Sequence, residues 1–135
     1  MPKIIITVLV LLGILISRGT AQDMQQEMGS ADLVGILIYA EWSEDSQEAK
    51  EIYDHLKDEW HQQGIYFTMF DLSDEFTQIR TEEFAELMGL DEILEEHEAD
   101  TDSFLIIDFS NREVRHQLEE FTREDIEKIL EDKLK

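Results

Sequence analysis

An apolar run that turns directly into a helix constrains this chain more than any other feature. Leu33–Ala40 (LVGILIYA) has strand length and is apolar on both faces, which calls for helices covering both sides of it. It passes through Glu41-Trp42 and Ser43-Glu44-Asp45-Ser46 into a stretch whose apolar residues, Ala49, Ile52, Tyr53, Leu56 and Trp60, share one helical face. Ser43 is the expected N-cap, with Glu44 and Asp45 favourable beside the first-turn amides, and Gln62-Gln63-Gly64 the expected stop. A buried strand, a short exposed turn and a helix N-terminus in succession is a common way for α/β proteins to present reactive or binding groups.

The rest of the chain supplies partners for that strand. Ile65–Leu72 (IYFTMFDL) reads as a second strand, punctuated by Ser73-Asp74-Glu75. Thr81-Glu82-Glu83 then opens a helix that carries Phe84, Leu87 and Met88 and ends at Gly89. Leu90–Ala99 forms a short helical turn with Ile93 and Leu94 inward and Glu95-Glu96-His97-Glu98 on its wet side. Ser103–Phe109 is a third strand, and after a turn at Ser110-Asn111-Arg112 the alternating Glu113–Leu118 returns as an antiparallel edge strand. Thr122 and Asp125 frame a capping box, with Asp in the place of the usual Glu, for a last helix with Ile126, Ile129, Leu130 and Leu134 on one face. The expected fold class is α/β, with a central mixed β-sheet of about four strands flanked by helices.

Ahead of this domain, residues 1–21 have the layout of a secretory signal peptide: Lys3, an apolar stretch from Ile4 to Ile16, then small residues ending at Ala21. That stretch is 13 residues long, short of the about 18 needed to span a bilayer. The expectation is therefore an exported, periplasmic or extracellular protein, with residues 22–32 a flexible lead-in and 33–135 the domain; an uncleaved N-terminal membrane anchor is the alternative. Lys3 and Arg18 both fall in the leader, so 9 of the 11 basic residues remain against 33 acids, a net charge of −24. Such a surface repels nucleic acid and anionic membranes and leaves basic proteins and divalent cations as partners. The plainer account of the acids is solubility. The chain has no cysteine, which removes disulfides, thiolate metal sites and thiol catalysis together.

Ala40-Glu41-Trp42, standing between an apolar strand and a helix, resembles the active-site segment of the thioredoxin family, where two cysteines spaced by two residues follow. Both cysteine positions here hold serine, Ser43 and Ser46. The resemblance extends from Leu33 to about Leu134 through the order β-α-β-α-β-β-α, and it implies a thioredoxin-like fold. It also implies where the family's other functional groups would sit. The buried aspartate of the strand before the site corresponds to Leu37, its companion lysine approximately to Met69, and the cis-proline facing the thiols to Asp102, with Ser103 the alternative. All of these functional positions depart together, so the resemblance points to a degenerate active site without redox turnover. A cis bond at a non-proline residue costs about 3 kcal/mol or more, and a trans peptide is expected there.

Other chemistry fares no better. Serine catalysis at Ser43 or Ser46 needs a base and an oxyanion hole, and no spacing brings His55, His61, His97 or His116 to either serine; there is no G-x-S-x-G elbow. Glu98, Asp100 and Asp102 offer hard oxygen ligands for weak, low-specificity Ca²⁺ binding, yet the chain lacks the alternating acids and central glycine of an EF-hand loop. No cofactor is expected. The resemblance places Trp42 where partner chains dock, so Glu41, Trp42, Asp45, Thr101, Asp102 and Ser103 form the candidate partner-binding patch, fit for another protein or an extended peptide. Shielding of the helix start by Trp42 is the competing account. The functional expectation is a non-redox binding, scaffold or chaperone-type module; an acidic cation-binding or salt-adapted protein is the alternative, and a residual enzyme of unknown reaction comes last.

Overall fold

The computed structural model describes residues 32–133. The expected signal peptide, the lead-in as far as Ala31, and Leu134 lie outside the described residues. Four strands form one sheet: β1 (Leu33–Tyr39), β2 (Ile65–Asp71), β3 (Phe104–Asp108) and β4 (Glu113–Leu118). They lie in the order β2-β1-β3-β4, β1 running parallel to β2 and antiparallel to β3, with β3 antiparallel to β4. The mixed sheet of the sequence reading is therefore present, with β1 inside it.

All seven residues of β1 are buried, as a strand covered on both faces requires. On one face Leu33, Leu37 and Tyr39 pack with Ile65, Phe67, Phe104 and Ile106 under two helices, α1 (Ser46–Trp60) and α4 (Arg123–Lys133). These helices contribute Ala49, Tyr53, Leu56, Ile126 and Leu130. Val34, Ile36 and Ile38 point to the other face by strand alternation and are fully buried. Helices α2 (Glu75–Met88) and α3 (Asp91–His97) supply Ala85, Met88, Ile93 and Leu94 to the core. With no disulfide available, side chains each worth about 1.5–3 kcal/mol when fully buried supply the main driving force for folding. Gly35 is the one gap in β1: a Cβ there would stand 3.0 Å from the Phe104 ring and 3.1 Å from that of Phe67, so the aromatic layer is built over the missing side chain.

The ends of the elements show which local signals held. Thr122 and Asp125 form the reciprocal pair expected at the start of α4, Thr122 N–H donating to Asp125 Oδ2 at 2.9 Å and Asp125 N–H to Thr122 Oγ1 at 3.2 Å. Arg123 then bridges α4 to α1, bonding both Glu127 and Glu59, and its guanidinium holds the Glu59 carboxyl below the ordinary glutamate range. In β4 exposed and half-buried residues alternate, as at a sheet edge, and a bulge opposite Ile106/Ile107 leaves Arg115 unpaired in the ladder.

Two expectations fail. Helix α2 begins at Glu75, six residues before the expected opening at Thr81, because Asp74 caps it: Thr77 N–H donates to Asp74 Oδ1 at 2.8 Å, and Asp74 N–H to Thr77 Oγ1 at 3.1 Å. Thr81 sits inside the helix, its hydroxyl donating to the Asp71 carbonyl at 2.9 Å, while Leu87 is exposed. Ser43 does not cap α1 either. Asp45 holds that position without a side-chain cap bond, and the Ser43 hydroxyl is engaged elsewhere.

Candidate functional site

Where β1 ends, two tight turns carry the chain into α1. Ser43 N–H donates to the Ala40 carbonyl at 3.0 Å, and Ser46 N–H to the Ser43 carbonyl at 3.3 Å. The segment is held from the β2 side as well: Leu72 N–H reaches the Tyr39 carbonyl at 2.8 Å, and Glu41 N–H donates to Ser73 Oγ at 2.8 Å. Ser73 in turn donates to Asp71 Oδ1 at 2.6 Å. The turn is thereby fixed at the carboxyl ends of the parallel pair β1–β2, the place where open α/β sheets leave a crevice.

From the other side comes the loop between α3 and β3. Asp102 N–H donates to the Ile38 carbonyl at 2.7 Å and Ile38 N–H to the Ser103 carbonyl at 2.9 Å, so this loop extends the sheet by one step beside β1. Asp102 stands at φ 70°, a left-handed conformation that aspartate tolerates better than most residues. No cis peptide occurs among the described residues. Ser43 donates its hydroxyl to Asp102 Oδ2, and Asp102 Oδ1 is buried with no hydrogen-bond partner. Ser46 is fully buried and its hydroxyl donates to the Ser43 carbonyl at 2.8 Å. Leu37 and Met69, which the resemblance aligned with a buried aspartate and lysine, face each other as register partners on β1 and β2.

Trp42 stands out from the turn, 68 % exposed. Glu41 and Asp45 are exposed, Thr101 and Asp102 half-buried, and Ser103 is buried. The structure thus brings Trp42, Asp45, Thr101 and Asp102 around one turn, while Ser103 contributes backbone and presents almost no surface. Two hollows flank the Ser43–Asp102 bond. One, of about 350 Å³, has Trp42, Leu72, Leu94, Ala99 and Thr101 in its wall. The other, of about 260 Å³, has Ala49, Ile52 and Phe121 as its apolar part, with Asp45, Asp102, Glu119 and Glu120 among its acids.

The Phe121 side of this second hollow was not found by sequence reasoning. Glu119-Glu120-Phe121 follows an edge strand without a periodic pattern, and only the fold brings it to α1. Nor was the Ser43–Asp102 bond found as such, although both positions were placed near the site.

Two other constellations do not assemble. Glu98 is exposed beside the Trp42 hollow, Asp100 accepts from Gln117 at 3.2 Å and lies 3.1 Å from His97 Nδ1, and Asp102 is engaged by Ser43. Among the described residues no group of three or more histidines and acids is arranged to hold a metal ion. His97 pairs with Asp100 rather than with a serine, and Ser43 meets a carboxylate instead of an imidazole, so these two residues form no serine–histidine relay with each other.

No family model matches this sequence. None of the curated proteins matches it. Among solved structures, that of the oxidised thioredoxin from Plasmodium falciparum is similar with a TM-score of 0.52 over 84 % of this chain and 92 % of that one, at 12 % sequence identity. Taken with the four-stranded mixed sheet, the flanking helices and the strand–turn–helix bearing Trp42, that likeness identifies the fold as thioredoxin-like.

Proposed function

We propose that this chain is an exported, thioredoxin-like binding module of the scaffold or chaperone type, which docks a protein or extended peptide at Trp42 without redox turnover. The observation that carries the reading is Trp42 itself: a large aromatic side chain exposed on a turn that is hydrogen-bonded from both sides, beside a hollow in which Leu72, Leu94 and Ala99 stand with Glu82 and Glu98. Rigid aromatic residues next to a pocket dominate binding energy in protein interfaces, because little conformational entropy is lost when they are covered. The flanking serines support the non-redox part. Neither forms a thiolate, and their hydroxyls are already engaged by Asp102 and by the turn's own backbone. Export rests on the layout of residues 1–21, and among the described residues no helix is long and apolar enough to cross a membrane.

The test is recovery of partners from the native compartment by the tagged protein and its Trp42→Ala variant. The same partner should be captured by the first and lost by the second; equal recovery would dismiss Trp42 as the site. Insulin reduction by the purified protein should stay at the background rate, and turnover there would overturn the non-redox reading.

A further inference from the structure

The second hollow beside the Ser43–Asp102 bond, of about 260 Å³, combines two kinds of surface. Ala49 and Ile52, neighbours on one side of α1, form a strip of hydrocarbon with Phe121. Around the strip stand carboxylates from three separate parts of the chain: Asp45 and Glu48 at the start of α1, Glu119 and Glu120 after β4, and Asp102 in the loop before β3. No residue lining the hollow is basic. The fold thus gathers one sign of charge around apolar carbon, and four of these acids, all but Asp102, are exposed.

That combination says what fits. A metal ion suits it poorly: among the described residues no three acids or histidines are arranged to hold one, and hydrocarbon offers an ion nothing. An organic cation with a hydrocarbon stem uses both surfaces. Lysine and arginine side chains are of this kind, laying their methylene stems along apolar carbon and carrying the charge at the tip. Asp102 points the same way. Ser43 donates to its Oδ2, whereas Oδ1 is buried and no protein group donates to it. A carboxylate oxygen in that state is uncommon, and a positive charge brought beside it offsets the loss of water. The size agrees as well: the hollow is smaller than the roughly 300–1,000 Å³ of sites that enclose a whole small molecule, and a single side chain fills it better.

We propose that this hollow receives a lysine or arginine side chain of the docked chain, its stem over Ala49, Ile52 and Phe121 and its cationic head among the surrounding carboxylates. The inference rests on the reading of Trp42 as the docking point and names the chemistry of what docks there. Thr101 lines the Trp42 hollow and Asp102 this one, so a chain laid across the turn passes from one to the other. Trp42 is the aromatic anchor, and the acids select a base beside it.

NMR titration of the purified, isotope-labelled protein with N-acetyl-lysine amide, in about 0.15 M NaCl, tests the proposal. This compound is one lysine residue with a peptide bond on each side. The backbone amide signals of Glu48, Ala49, Glu119, Glu120 and Phe121 should shift and saturate. N-acetyl-norleucine amide has the stem without the charge, and methylammonium the charge without the stem. Each should bind at least about tenfold more weakly. Because the whole chain is acidic, two variants of equal net charge fix the location. Glu119→Gln/Glu120→Gln should weaken lysine amide binding by about threefold or more, while Glu131→Gln/Asp132→Asn, at the far end of α4, should leave it unchanged. All four residues are exposed, and the amide spectrum of each variant verifies its fold. Absence of saturable shifts at these amides would overturn the proposal, as would binding of either control compound equal to that of lysine amide. Equal weakening by the two variants would also overturn it, leaving only diffuse attraction. The Trp42 reading fails separately. Partner capture that needs Trp42 but survives Glu119→Gln/Glu120→Gln would overturn this proposal alone. Lysine amide binding at this hollow, with capture indifferent to Trp42→Ala, would remove Trp42 and keep the hollow.

Discussion

Ser43 donates its hydroxyl to a carboxylate oxygen of Asp102, a residue 59 positions further along the chain. The other oxygen of that carboxylate is buried without a partner, and its backbone is held at φ 70°. One hydroxyl is thus the main support of a half-buried charge. Ser43→Ala leaves both oxygens without a protein donor and is expected to cost about 1–3 kcal/mol. Asp102→Gly removes the carboxylate and suits the left-handed backbone, so in combination with Ser43→Ala it should recover most of that loss. Urea midpoints for the two single variants and the double variant measure the coupling, expected at roughly 0.5–3 kcal/mol. Additive losses would show that the hydroxyl and the carboxylate act independently.

The same carboxylate bears on what sulfur would do at this turn. A thiol introduced by Ser43→Cys must ionise to react, and Asp102 beside it disfavours a second negative charge. The pH midpoint of its alkylation rate is therefore expected above the ordinary cysteine value of about 8.5, and adding Asp102→Asn should lower it. A midpoint at or below the ordinary value with Asp102 intact would remove the carboxylate as the controlling group.

How legible these features were in the sequence depends on how local their causes are. The bounds of β4 and the Thr122–Asp125 cap could be read directly, since alternation and a three-residue reciprocal bond are complete within a few positions. Burial of β1 on both faces was legible from its unbroken apolar run. The first turns of α2 were missed because periodicity finds helices by their buried face, and Phe76 and Ile79 project outward. Ser43 was read as a cap because serine before a helix does cap in the absence of a better partner. Here that partner arrives from a distant loop, and the carboxylate outcompetes the backbone amide. The second hollow depends on Phe121 returning to α1, a long-range relation that no window of the sequence contains.

Two glycines should respond to alanine for different reasons. At Gly35 the new Cβ would come within 3.0 Å of Phe104 and 3.1 Å of Phe67, both buried, so rings must shift in a packed layer. Gly35→Ala is expected to cost about 1–3 kcal/mol, and Phe67→Leu in the same chain should return part of it by making room. At Gly89 the nearest atom to a new Cβ is Arg112 Nε at 3.5 Å, an ordinary contact, and the backbone sits at φ 72°. Gly89→Ala should cost about 1–2 kcal/mol from the left-handed conformation alone, and trimming Arg112 should return none of it. Chemical denaturation of the four variants separates the two cases.

Tyr53 predicts the alkaline limit of the fold. Its ring is buried and meets Phe67 edge-on, with centroids 6.2 Å apart. Burial pushes its phenol pKa well up, with Tyr66 and Asp54 adding to the shift. The folded state therefore keeps this proton at a pH where the unfolded chain, with a tyrosine pKa of about 10, has released it. The contribution is complete below the unfolded value and disappears as pH rises towards the folded one, at up to about 1.4 kcal/mol per pH unit. Tyr53→Phe deletes the ionisation and retains the ring packing. Between pH 9 and 11 the urea midpoint of wild type should fall more steeply than that of Tyr53→Phe. Every other side chain is the same in both chains, so the difference between the two slopes isolates this phenol, and parallel slopes would mean that Tyr53 does not set the limit.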